Sequence, residues 1–588
     1  AQEILARARG EAGWRDPHTR HGVGTRGSYT VLRQEAMGRD GAPGTISLSR
    51  VTGDGAYTDL MDFSFRRDGS GCIAQACSES QVPSFMDMST NYCNLHDLYC
   101  NLADGCPFAL HSLDYSEGEI TMGAGATHDK HACVLALVGD PPVTRFLSQR
   151  QDHFDRQNTR RWQQRFLVND TWFDRRRDDA PVFLCVGGEG RPLQPMVVLT
   201  GTVHCAIMVD AAKAEGALIL ALEHRYYGES IPVDDFSTPN LRFLSSHQAL
   251  ADLASFHTYI TSLYSLTAAN RWVTFGGSYP GMMAAWARTQ YPHLFFASVS
   301  SSAPVFAQLQ MQEYQDVIAD AFSNENIGGS QACLDAIREA FAEVGRLLGS
   351  VDGRALLSEL FPICDRAGND PLSRVPAQRE FVSTLSGGFN HQVNDPACGE
   401  EAGQTDRACD YGGICQNFMI PSAAPGVPPL ERLATIFEHM SHNVGRTCIE
   451  LGPDVEGKAA AAMVSPSLNS SRRIWFYQTC AEFGFYQTCD PGTNCPFTTT
   501  PHLDTLEVSL AQCEAAFGMT PGEIAANVAW SNTVSGGRNP GVDRVLWVQG
   551  DMDPWFPLGV VEGPDVLMVP DASHHFWTHV AKESDQPS

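Results

Sequence analysis

Short apolar runs alternate with amphipathic segments between residues 141 and 305. Each run is rich in branched and aromatic side chains, which is typical of strands buried on both faces of a sheet. The runs lie at residues 180–186, 217–222, 272–275 and 295–299. Residues 246–266 carry apolar side chains at helical spacing and lead directly into the third run. Because strands and helices alternate in this way, the pattern predicts a parallel α/β sheet.

The pattern changes after residue 305. Helical amphipathic segments separated by loops rich in glycine, proline and aspartate follow, at residues 315–322, 332–348 and 430–440. Runs typical of strands return only at residues 544–548 and 565–569. We therefore predict one α/β domain in two parts, residues 141–305 and 476–588, interrupted by a helical insertion at residues 306–475.

Residues 1–140 have a different texture. The first 50 are rich in arginine, glycine and serine with little periodicity, and we expect a poorly ordered lead-in there. A dense group of six cysteines follows, at Cys72, Cys77, Cys93, Cys100, Cys106 and Cys133. Such a density predicts a small disulfide-stapled module, and the sequence does not choose among the 15 pairings that six cysteines allow.

Two residues inside this module deserve separate mention because of their chemistry. His96 and Asp97 lie between Cys93 and Cys100 in the stretch NYCNLHDLYCN, which is faintly similar to the sites of secreted phospholipases. The alternative is a helical turn pinned by disulfides. We favour the helical turn.

Charge and cysteine usage narrow the class of protein. The 588 residues include 68 acidic and 41 basic side chains, a net charge of −27, which disfavours nucleic acid and anionic membrane surfaces as partners. No apolar run approaches the roughly 18 residues that span a bilayer. The 18 cysteines include no C-x-x-C pair, which favours disulfides over zinc or redox sites. We predict no metal and no cofactor.

An oxidising compartment follows from the cysteines, so we expect a secreted or lysosomal/vacuolar protein. Asn169 and Asn469 begin N-x-S/T sequons and are candidate glycosylation sites. The chain begins with Ala1, and we expect any targeting segment to lie outside this sequence.

The strongest chemical signal is the stretch RWVTFGGSYPGMMAAW at residues 271–286. It predicts a strand, a sharp glycine-assisted turn with Ser278 at its apex, and a helix, as in the nucleophile elbow of α/β-hydrolases. It departs from G-x-S-x-G, because Pro280 stands two residues after the serine and the glycine follows as Gly281. Alone, the stretch fits a tight turn with a solvated serine equally well.

Serine needs an imidazole to accept its proton and a carboxylate to orient that imidazole. Asp551 and Asp553 follow the run at residues 544–548, and His574 and His575 follow the run at residues 565–569. The order Ser, Asp, His after successive strands is that of α/β-hydrolases. The spacing leaves the choice within each pair open, although the proline after Asp553 favours a fixed carboxylate there.

An oxyanion hole requires two backbone N–H groups, one of them on the residue after the nucleophile. Tyr279 supplies that group. The turn at residues 187–190, Gly-Gly-Glu-Gly, is the candidate for the second, with Gly188 as the donor. An ordinary tight turn is the alternative for these glycines.

Several stretches, in order, resemble one family of serine peptidases, which comprises lysosomal Pro-X carboxypeptidase, dipeptidyl peptidase II and thymus-specific serine protease. The resemblance runs from about residue 145 to the end, and residues 1–140 have no counterpart in it. The stretches are RFLSQRQDHFD (145–155), VGGEG (186–190), LEHRYYGES (222–230), HQALADLASF (247–256), FGGSYPGMMAAW (275–286), SSSAPV (300–305), YQTCAEFGFYQTC (477–489), GDMDPW (550–555) and SHHFW (573–577).

The resemblance implies roles for individual residues. It assigns the nucleophile to Ser278, the orienting acid to Asp553 and the base to His574. It also implies an apolar proline pocket, whose matching positions are Met282 and Trp555. The helical insertion corresponds to a cap that narrows the cleft and favours chain ends as substrates, so the expected partners are peptides with proline near one end.

Which end of the peptide is held stays open. Glu189 or Glu482 would suit a free ammonium, and Arg225 or a residue of the cap would suit a free carboxylate, but each of these charges also fits a surface or paired ion. An esterase with the same triad, and a non-catalytic binding protein that works through the cysteine-rich module, are the alternatives to a proline-preferring exopeptidase. A homodimer is also left open.

Overall fold

The computed structural model separates the chain into two compact units. One unit comprises Ala1–Thr144 with residues 194–200 and 399–405, and the other comprises the remainder. The structure describes residues 2–9, 28–36, 44–51, 58–68, 71–80, 90–96, 98–99, 116–118, 144–190, 192–199, 205–364, 370–389, 408, 410–420, 422, 425–443, 448–449, 451, 471–499, 503, 505–574 and 576–578.

The first unit contains a four-stranded antiparallel sheet in the order β1-β2-β3-β4. Its strands are β1 (Ser28–Glu35), β2 (Gly44–Val51), β3 (Thr58–Asp68) and β4 (Gly71–Ser80), and its helices are α1 (Gln2–Ala8), α2 (Thr90–His96) and α3 (Met196–Leu199). Residues of β2 alternate between buried and half-buried, so that Ile46 and Leu48 join Met61 and Phe63 in a core. The expectation of a poorly ordered lead-in is therefore wrong for α1, β1 and β2.

The alternation of side chains along β2 indicates a strand, although the glycine and serine content of the segment suggested a poorly ordered chain. The segment Gly44–Val51 reads GTISLSRV, in which Ile46 and Leu48 stand two residues apart between threonine and serines. A period of two places them on one face of a strand, whatever the glycine and serine content. The predicted helical turn near His96 is present as α2.

The six-cysteine module is corrected at two positions. Cys72 and Cys77 lie on β4, both exposed and neither in a disulfide. They are five residues apart on one extended strand, so their side chains point to opposite faces and about 16 Å separates them. A disulfide requires Cα atoms within about 7 Å, so these two cannot pair with each other. Asp97, Cys100, Cys106, Cys133 and the side chain of Cys93 lie outside the described residues.

The second unit is built on an eight-stranded sheet in the order β14-β13-β10-β9-β7-β8-β6-β5. The six strands from β14 to β8 in this order are parallel, and β6 and β5 are antiparallel additions at one edge. The strands are β5 (Arg145–Arg150), β6 (Arg161–Asn169), β7 (Val182–Val186), β8 (Leu218–Leu222), β9 (Trp272–Gly277), β10 (Ala297–Ser301), β13 (Val545–Gly550) and β14 (Val566–Val569). A separate two-stranded sheet pairs β11 (Gln308–Gln310) with β12 (Gly484–Tyr486).

Helices flank this sheet and form the insertion. Those that belong to the sheet domain are α4 (Ala206–Glu215), α5 (Thr238–Leu241), α6 (Ser246–Tyr264), α7 (Tyr279–Gln290), α14 (Ser471–Gln478), α15 (Leu506–Phe517) and α16 (Pro521–Ser535). Those of the insertion are α8 (Glu313–Ser323), α9 (Gln331–Leu348), α10 (Val351–Leu360), α11 (Val375–Gly387), α12 (Tyr411–Ile414) and α13 (Pro429–Asn443). Short 3-10 turns lie at Glu325–Ile327, Phe556–Leu558 and Phe576–Thr578, and π-helical turns at Cys415–Met419 and Thr479–Phe483. One continuous core joins sheet and insertion.

Disulfides tie distant parts of the second unit together. Two of them close long loops within the insertion, Cys333–Cys415 with a separation of 82 residues and Cys364–Cys448 with a separation of 84. The others are Cys185–Cys205, Cys480–Cys513 and Cys489–Cys495. The predicted α/β sheet with a helical insertion is confirmed, whereas the domain limits at residues 140, 305 and 475 stay predictions.

Within the described ranges, no helix has the length and apolarity needed to cross a membrane. The same ranges contain no cluster of three or more histidine, cysteine, aspartate or glutamate side chains that would hold a metal ion.

Candidate active site

Ser278 stands at a strained turn between β9 and α7. Its backbone has φ 62° and ψ −132°, a region that residues with a Cβ rarely adopt and that the nucleophile elbow requires. Its neighbours explain the glycines. A Cβ on Gly276 would lie 2.2 Å from the carbonyl oxygen of Pro280, and a Cβ on Gly281 would lie 2.8 Å from the carbonyl oxygen of Ser301. The glycines therefore allow the start of α7 to pack directly on the strands.

Asp553 and His574 follow β13 and β14, and the structure brings their side chains together. The His574 Nδ1 lies 2.9 and 3.0 Å from the two carboxylate oxygens of Asp553. Asp553 is fully buried and also accepts a 2.9 Å hydrogen bond from the backbone N–H of Trp555. The carboxylate that contacts His574 is therefore that of Asp553, not Asp551. His575 lies outside the described residues.

The three candidate residues share one edge of the sheet. Ser278, Asp553 and His574 each follow the carboxyl end of a parallel strand, and those strands lie within four consecutive positions of the sheet. Carboxyl ends of parallel strands meet at one edge, where open α/β sheets carry their sites.

The tautomer of His574 follows from its partner. A carboxylate only accepts hydrogen bonds when ionised, so Nδ1 carries the proton and donates to Asp553. In the neutral ring Nε2 then holds a lone pair, which is the form a general base requires. The geometry thus suits proton abstraction from a hydroxyl at Nε2.

Gly188 lies against the elbow. A Cβ on this residue would lie 2.2 Å from the Pro280 Cγ, so only glycine allows the turn after β7 to approach the start of α7 this closely. That proximity is what a backbone donor to the same oxyanion as Tyr279 requires. Gly188 and Tyr279 stay predictions as oxyanion-hole donors.

The side chain of Tyr279 belongs to a buried network that the sequence did not reveal. Its hydroxyl lies 2.9 Å from His224 Nε2 and accepts a 3.1 Å hydrogen bond from Gln478 Nε2. Gln478 in turn accepts a 2.6 Å hydrogen bond from the Tyr227 hydroxyl. The network links the residue after the nucleophile to the loop after β8 and to α14. The stretch LEHRYYGES contains His224 and Tyr227, but the sequence suggests a candidate role only for its Arg225.

His224 is neutral in this network. Burial lowers its pKa to about 4. Its Nδ1 lies 2.7 Å from the carbonyl oxygen of Arg225, which can only accept, so Nδ1 carries the proton and Nε2 accepts from the Tyr279 hydroxyl. The aromatic ring after the nucleophile is therefore fixed by directed hydrogen bonds.

The two candidate proline-pocket residues lie in different surroundings. Met282 is fully buried within the core at the start of α7. Trp555 is half-buried, and its ring centroid lies 5.2 Å from that of Tyr314, 5.5 Å from Phe485 and 6.3 Å from the imidazole of His574. Trp555 therefore joins an aromatic cluster to the candidate base.

Glu189 is a carboxyl group close to the candidate base. Burial raises its pKa to about 7, and the imidazole of His574 opposes this rise. Its Oε2 is buried and has no hydrogen-bond partner among the described residues. A buried carboxyl oxygen of this kind is available to a ligand.

Glu482 and Arg225 are occupied by the protein itself. Glu482 accepts hydrogen bonds of 2.9 and 2.7 Å from the backbone N–H and the hydroxyl of Ser246, at the start of α6. Arg225 is fully buried and makes hydrogen bonds of 2.6 and 2.8 Å to Asp252. These contacts favour structural roles, whereas one carboxyl oxygen of Glu189 has no hydrogen-bond partner among the described residues.

The two candidate glycosylation sites are not equivalent. Asn169 ends β6, is 5% exposed, and accepts a 3.0 Å hydrogen bond from the backbone N–H of Thr171. Its burial is unfavourable to a glycan, and the site stays a prediction. Asn469 lies outside the described residues.

Comparison with known proteins gives the family. Residues 149–588 match the family model of serine carboxypeptidase S28. The chain belongs to this family. Thymus-specific serine protease from Homo sapiens is 37% identical over 475 residues, which cover 79% of this chain and 86% of that protein. Lysosomal Pro-X carboxypeptidase from Bos taurus is 27% identical over 442 residues, which cover 73% of this chain and 82% of that protein.

A solved structure of proline iminopeptidase from Mycobacterium smegmatis also aligns with the chain. It covers 73% of this chain and 92% of that one, with 11% sequence identity and a TM-score of 0.27. A similarity this low carries no argument about the site, and the assignment rests on the family.

Membership of the S28 family makes this chain a serine-type peptidase with an α/β-hydrolase fold, as the sequence predicted. The alternatives of an esterase and of a non-catalytic binding protein lose support for residues 149–588.

Proposed function

We propose that this S28 member is an exopeptidase that cleaves peptides after proline, with Ser278 as nucleophile, His574 as base and Asp553 as the orienting acid. The observation that supports it most is the His574–Asp553 hydrogen bond at the sheet edge where the Ser278 elbow also ends. Substrates are peptides with proline near one end.

The reaction is acyl transfer. The Ser278 hydroxyl attacks the carbonyl carbon of the proline residue, and the hydroxyl proton passes to His574 Nε2. The Asp553 carboxylate stabilises the imidazolium, and the N–H groups of Tyr279 and Gly188 hold the negative oxygen. His574 then protonates the leaving amine, and water releases the acyl group by the same steps.

The preference for proline rests on the aromatic cluster at Trp555. The buried rings of Tyr314 and Phe485 pack edge to face on the half-buried Trp555, so they hold its ring as a rigid apolar wall beside His574. A pyrrolidine ring buries its apolar surface against such a wall without exposing a hydrogen-bond donor, because proline in a peptide has no N–H. The name of the relative from Bos taurus, Pro-X carboxypeptidase, agrees with this preference.

The preference for chain ends rests on the insertion and on Glu189. The helical insertion packs with the sheet domain in one core, and Tyr314 of α8 contributes directly to the aromatic cluster. Glu189 offers a carboxyl oxygen beside His574, which suits an ammonium group when ionised and a carboxylate group when protonated. The end that is held thus depends on the charge of Glu189 at the working pH.

A fluorophosphonate probe tests the nucleophile. We expect covalent labelling of Ser278 in the intact protein, located by peptide mass spectrometry, and loss of labelling in Ser278→Ala. Labelling of another serine, or equal labelling of the variant, contradicts the proposal.

A library of proline-containing peptides tests the specificity. Mass spectrometry of the products distinguishes loss of the residue after a penultimate proline from release of an N-terminal X-Pro dipeptide. Cleavage after proline at one end supports the proposal, and cleavage with no preference for proline contradicts it.

The disulfides favour an oxidising compartment, so we also propose a secretory or lysosomal location.

A further inference from the structure

The elbow at Ser278 has one backbone N–H group that is suited to an oxyanion. The N–H of Ser278 itself donates a 2.9 Å hydrogen bond to the carbonyl oxygen of Ser301, and Pro280 has no N–H. Tyr279 lies between them as the first residue of α7, a position at which the helix offers the N–H no partner. The direction of this N–H therefore depends on how Tyr279 is held.

The strain at Ser278 makes that question important. Its φ of 62° is a conformation that persists only where the surrounding structure enforces it. The side chain of Tyr279 is 1% exposed, so the protein encloses the residue that follows the strained turn. The contacts of this side chain therefore help to hold the turn on its C-terminal side.

Two kinds of contact hold the side chain of Tyr279. Its ring packs at a tilt against Trp475 and Phe483, with centroids 5.7 and 5.6 Å away. Aromatic pairs are favourable over a range of offsets, so these contacts tolerate small shifts. Hydrogen bonds tolerate them less, because they weaken steeply with distance and angle. The partners of the hydroxyl, His224 and Gln478, therefore set the position of Tyr279 more narrowly than the rings do.

The hydrogen bonds around this hydroxyl run in one direction. Tyr227 donates to Gln478 at 2.6 Å, and Gln478 donates to the Tyr279 hydroxyl at 3.1 Å. That hydroxyl donates to His224 Nε2 at 2.9 Å, and His224 Nδ1 donates to the carbonyl oxygen of Arg225 at 2.7 Å. Burial raises the pKa of Tyr279 well above its usual value, so the hydroxyl keeps its proton. A chain in which each donor meets an acceptor is cooperative and rigid.

The end of this chain is anchored in the core. The guanidinium of Arg225 donates hydrogen bonds of 2.6 and 2.8 Å to Asp252. It also donates to the carbonyl oxygens of Gln151 at 3.1 Å and Phe243 at 2.8 Å. His224 thus accepts from Tyr279 while it is bonded to a residue that several segments hold in place.

We propose that His224 and Gln478 are positioning residues for the oxyanion. Through the hydroxyl of Tyr279 they keep the backbone N–H of that residue directed at the oxygen that becomes negative when Ser278 attacks. The inference rests on the proposed function, because it takes Ser278 as the nucleophile and the N–H of Tyr279 as a donor. An oxyanion donor acts mainly on the transition state, so its misalignment should lower kcat and leave KM nearly unchanged.

A double-mutant cycle in the full chain tests the coupling, with a proline peptide as substrate. We expect Tyr279→Phe and His224→Leu each to lower kcat by about 10- to 100-fold, less than the roughly 10²–10³-fold cost of removing an oxyanion donor. In the Tyr279→Phe background, His224→Leu should add little, because the hydroxyl through which it acts is already absent. His224→Gln should recover part of the loss, since its amide offers both an acceptor and a donor.

A transition-state analogue separates positioning from a general loss of structure. A peptidyl-proline boronic acid forms a tetrahedral adduct on the nucleophilic serine, with an oxygen where the oxyanion develops. Its affinity should fall by the same factor as kcat in Tyr279→Phe and His224→Leu, while KM stays within a few-fold of wild type.

His257→Leu is the matched control. Burial lowers the pKa of His257 to about 4, as it does for His224, but the ring of His257 packs against Trp272 and Phe295. This variant should keep kcat and the affinity for the boronic acid even if its Tm falls. If His224→Leu does not fold, Gln478→Leu takes its place in the cycle.

The inference and the proposed function fail in different ways. Wild-type protein that a fluorophosphonate labels at Ser278 but that cleaves no proline peptide overturns the proposed specificity. The cycle is then measured by the rate of labelling, because the phosphonyl oxygen needs the same donors. An absence of labelling overturns both proposals. The inference alone is overturned by an unchanged kcat in Tyr279→Phe, by fully additive losses in the double variant, or by equal losses in His224→Leu and His257→Leu.

Discussion

A histidine beside a carboxylate is not by itself a base, and three such pairs in the described part of the chain differ at the residue scale. In His574–Asp553 and His96–Glu117 the carboxylate faces Nδ1. His153 instead meets Asp252 through Nε2 at 2.7 Å.

The third pair is structural because its carboxylate is shared. Burial alone would raise the pKa of Asp252, but Arg225 and His153 outweigh burial and lower it. The guanidinium of Arg225 donates hydrogen bonds to both carboxylate oxygens of Asp252. His153 is therefore one partner in a cluster that joins the loop after β5 to α6, and it is a poor candidate for proton transfer.

The orienting acid is tested by Asp553→Asn. An amide at this position can donate to Nδ1 and so favours the wrong tautomer of His574, with the proton on Nε2. We expect kcat for a proline peptide to fall by about 10⁴-fold, as in other serine triads, with a small change in KM. The matched control is Asp551→Asn in the same loop, which should stay within a few-fold of wild type. Equal losses in both variants would contradict the assignment of Asp553.

The carboxyl group of Glu189 should be visible in the pH dependence of kcat/KM. Burial raises its pKa to about 7, so the charge of this carboxyl group near the candidate site changes around that pH. The wild-type profile should therefore show an inflection near pH 7 that Glu189→Gln lacks. Superimposable profiles for the two proteins would show that Glu189 does not act on His574.

At the scale of elements, the elbow depends on close contact between a strand and a helix. Gly276→Ala places a Cβ within 2.2 Å of the backbone oxygen of Pro280, so β9 and α7 must move apart. A shift of about 1 Å at a catalytic group costs on the order of 100-fold, and we expect at least that loss in kcat/KM together with a lower Tm. The measurement is steady-state kinetics with thermal unfolding of the same preparation.

Gly522→Ala serves as the control for that substitution. Gly522 lies in α16, and a Cβ there meets no heavy atom within 4 Å. Alanine is the better helix former by about 0.5–1 kcal/mol, so Tm should stay the same or rise slightly and activity should not change. A similar loss of activity in both variants would mean that the contact with Pro280 is not the cause.

The elements that the sequence predicted best are those with the simplest environment. The runs that became β7, β8 and β13 are apolar because both faces of a central parallel strand are buried. The position of Ser278 was also predicted well, because glycines beside a serine between a strand and a helix indicate a sharp turn there. Asp553 could be placed after its strand but not distinguished from Asp551, because that choice depends on where a loop turns its side chains.

The remaining features depend on contacts between residues distant in sequence. The hydrogen bonds of Gln478 to Tyr227 and Tyr279 join segments about 200 to 250 residues apart, so no local pattern records them. The sheet of the first unit was missed because glycine and serine in its strands lower the average hydropathy, although the alternation in β2 remains. Arg225 was considered for substrate binding because the sequence did not reveal its buried partner, Asp252.

At the scale of the whole molecule, buried ionisable groups should link stability to pH in opposite directions. Burial raises the pKa of Glu482 to about 7 and lowers the pKa of His257 to about 4. Between pH 4.5 and 7 the native protein therefore binds more protons than the unfolded chain at Glu482 and fewer at His257. The contributions of Glu482 and His257 to the pH dependence of stability partly cancel in the wild type. The informative measurement is therefore the difference in the free energy of unfolding between the wild type and a variant that lacks one of these groups.

We expect Glu482→Gln to separate them. Glutamine keeps an acceptor for the N–H and hydroxyl of Ser246 but cannot ionise. The free energy of unfolding of the wild type loses the contribution of Glu482 as the pH rises from 4.5 through 7, by up to about 3 kcal/mol for a shift of this size, and the variant does not. Urea unfolding at pH 5 and pH 8 should therefore give similar stabilities at pH 5 and a more stable variant at pH 8. If the stability difference between the variant and the wild type were the same at pH 5 and pH 8, burial would not raise the pKa of Glu482 in the folded protein.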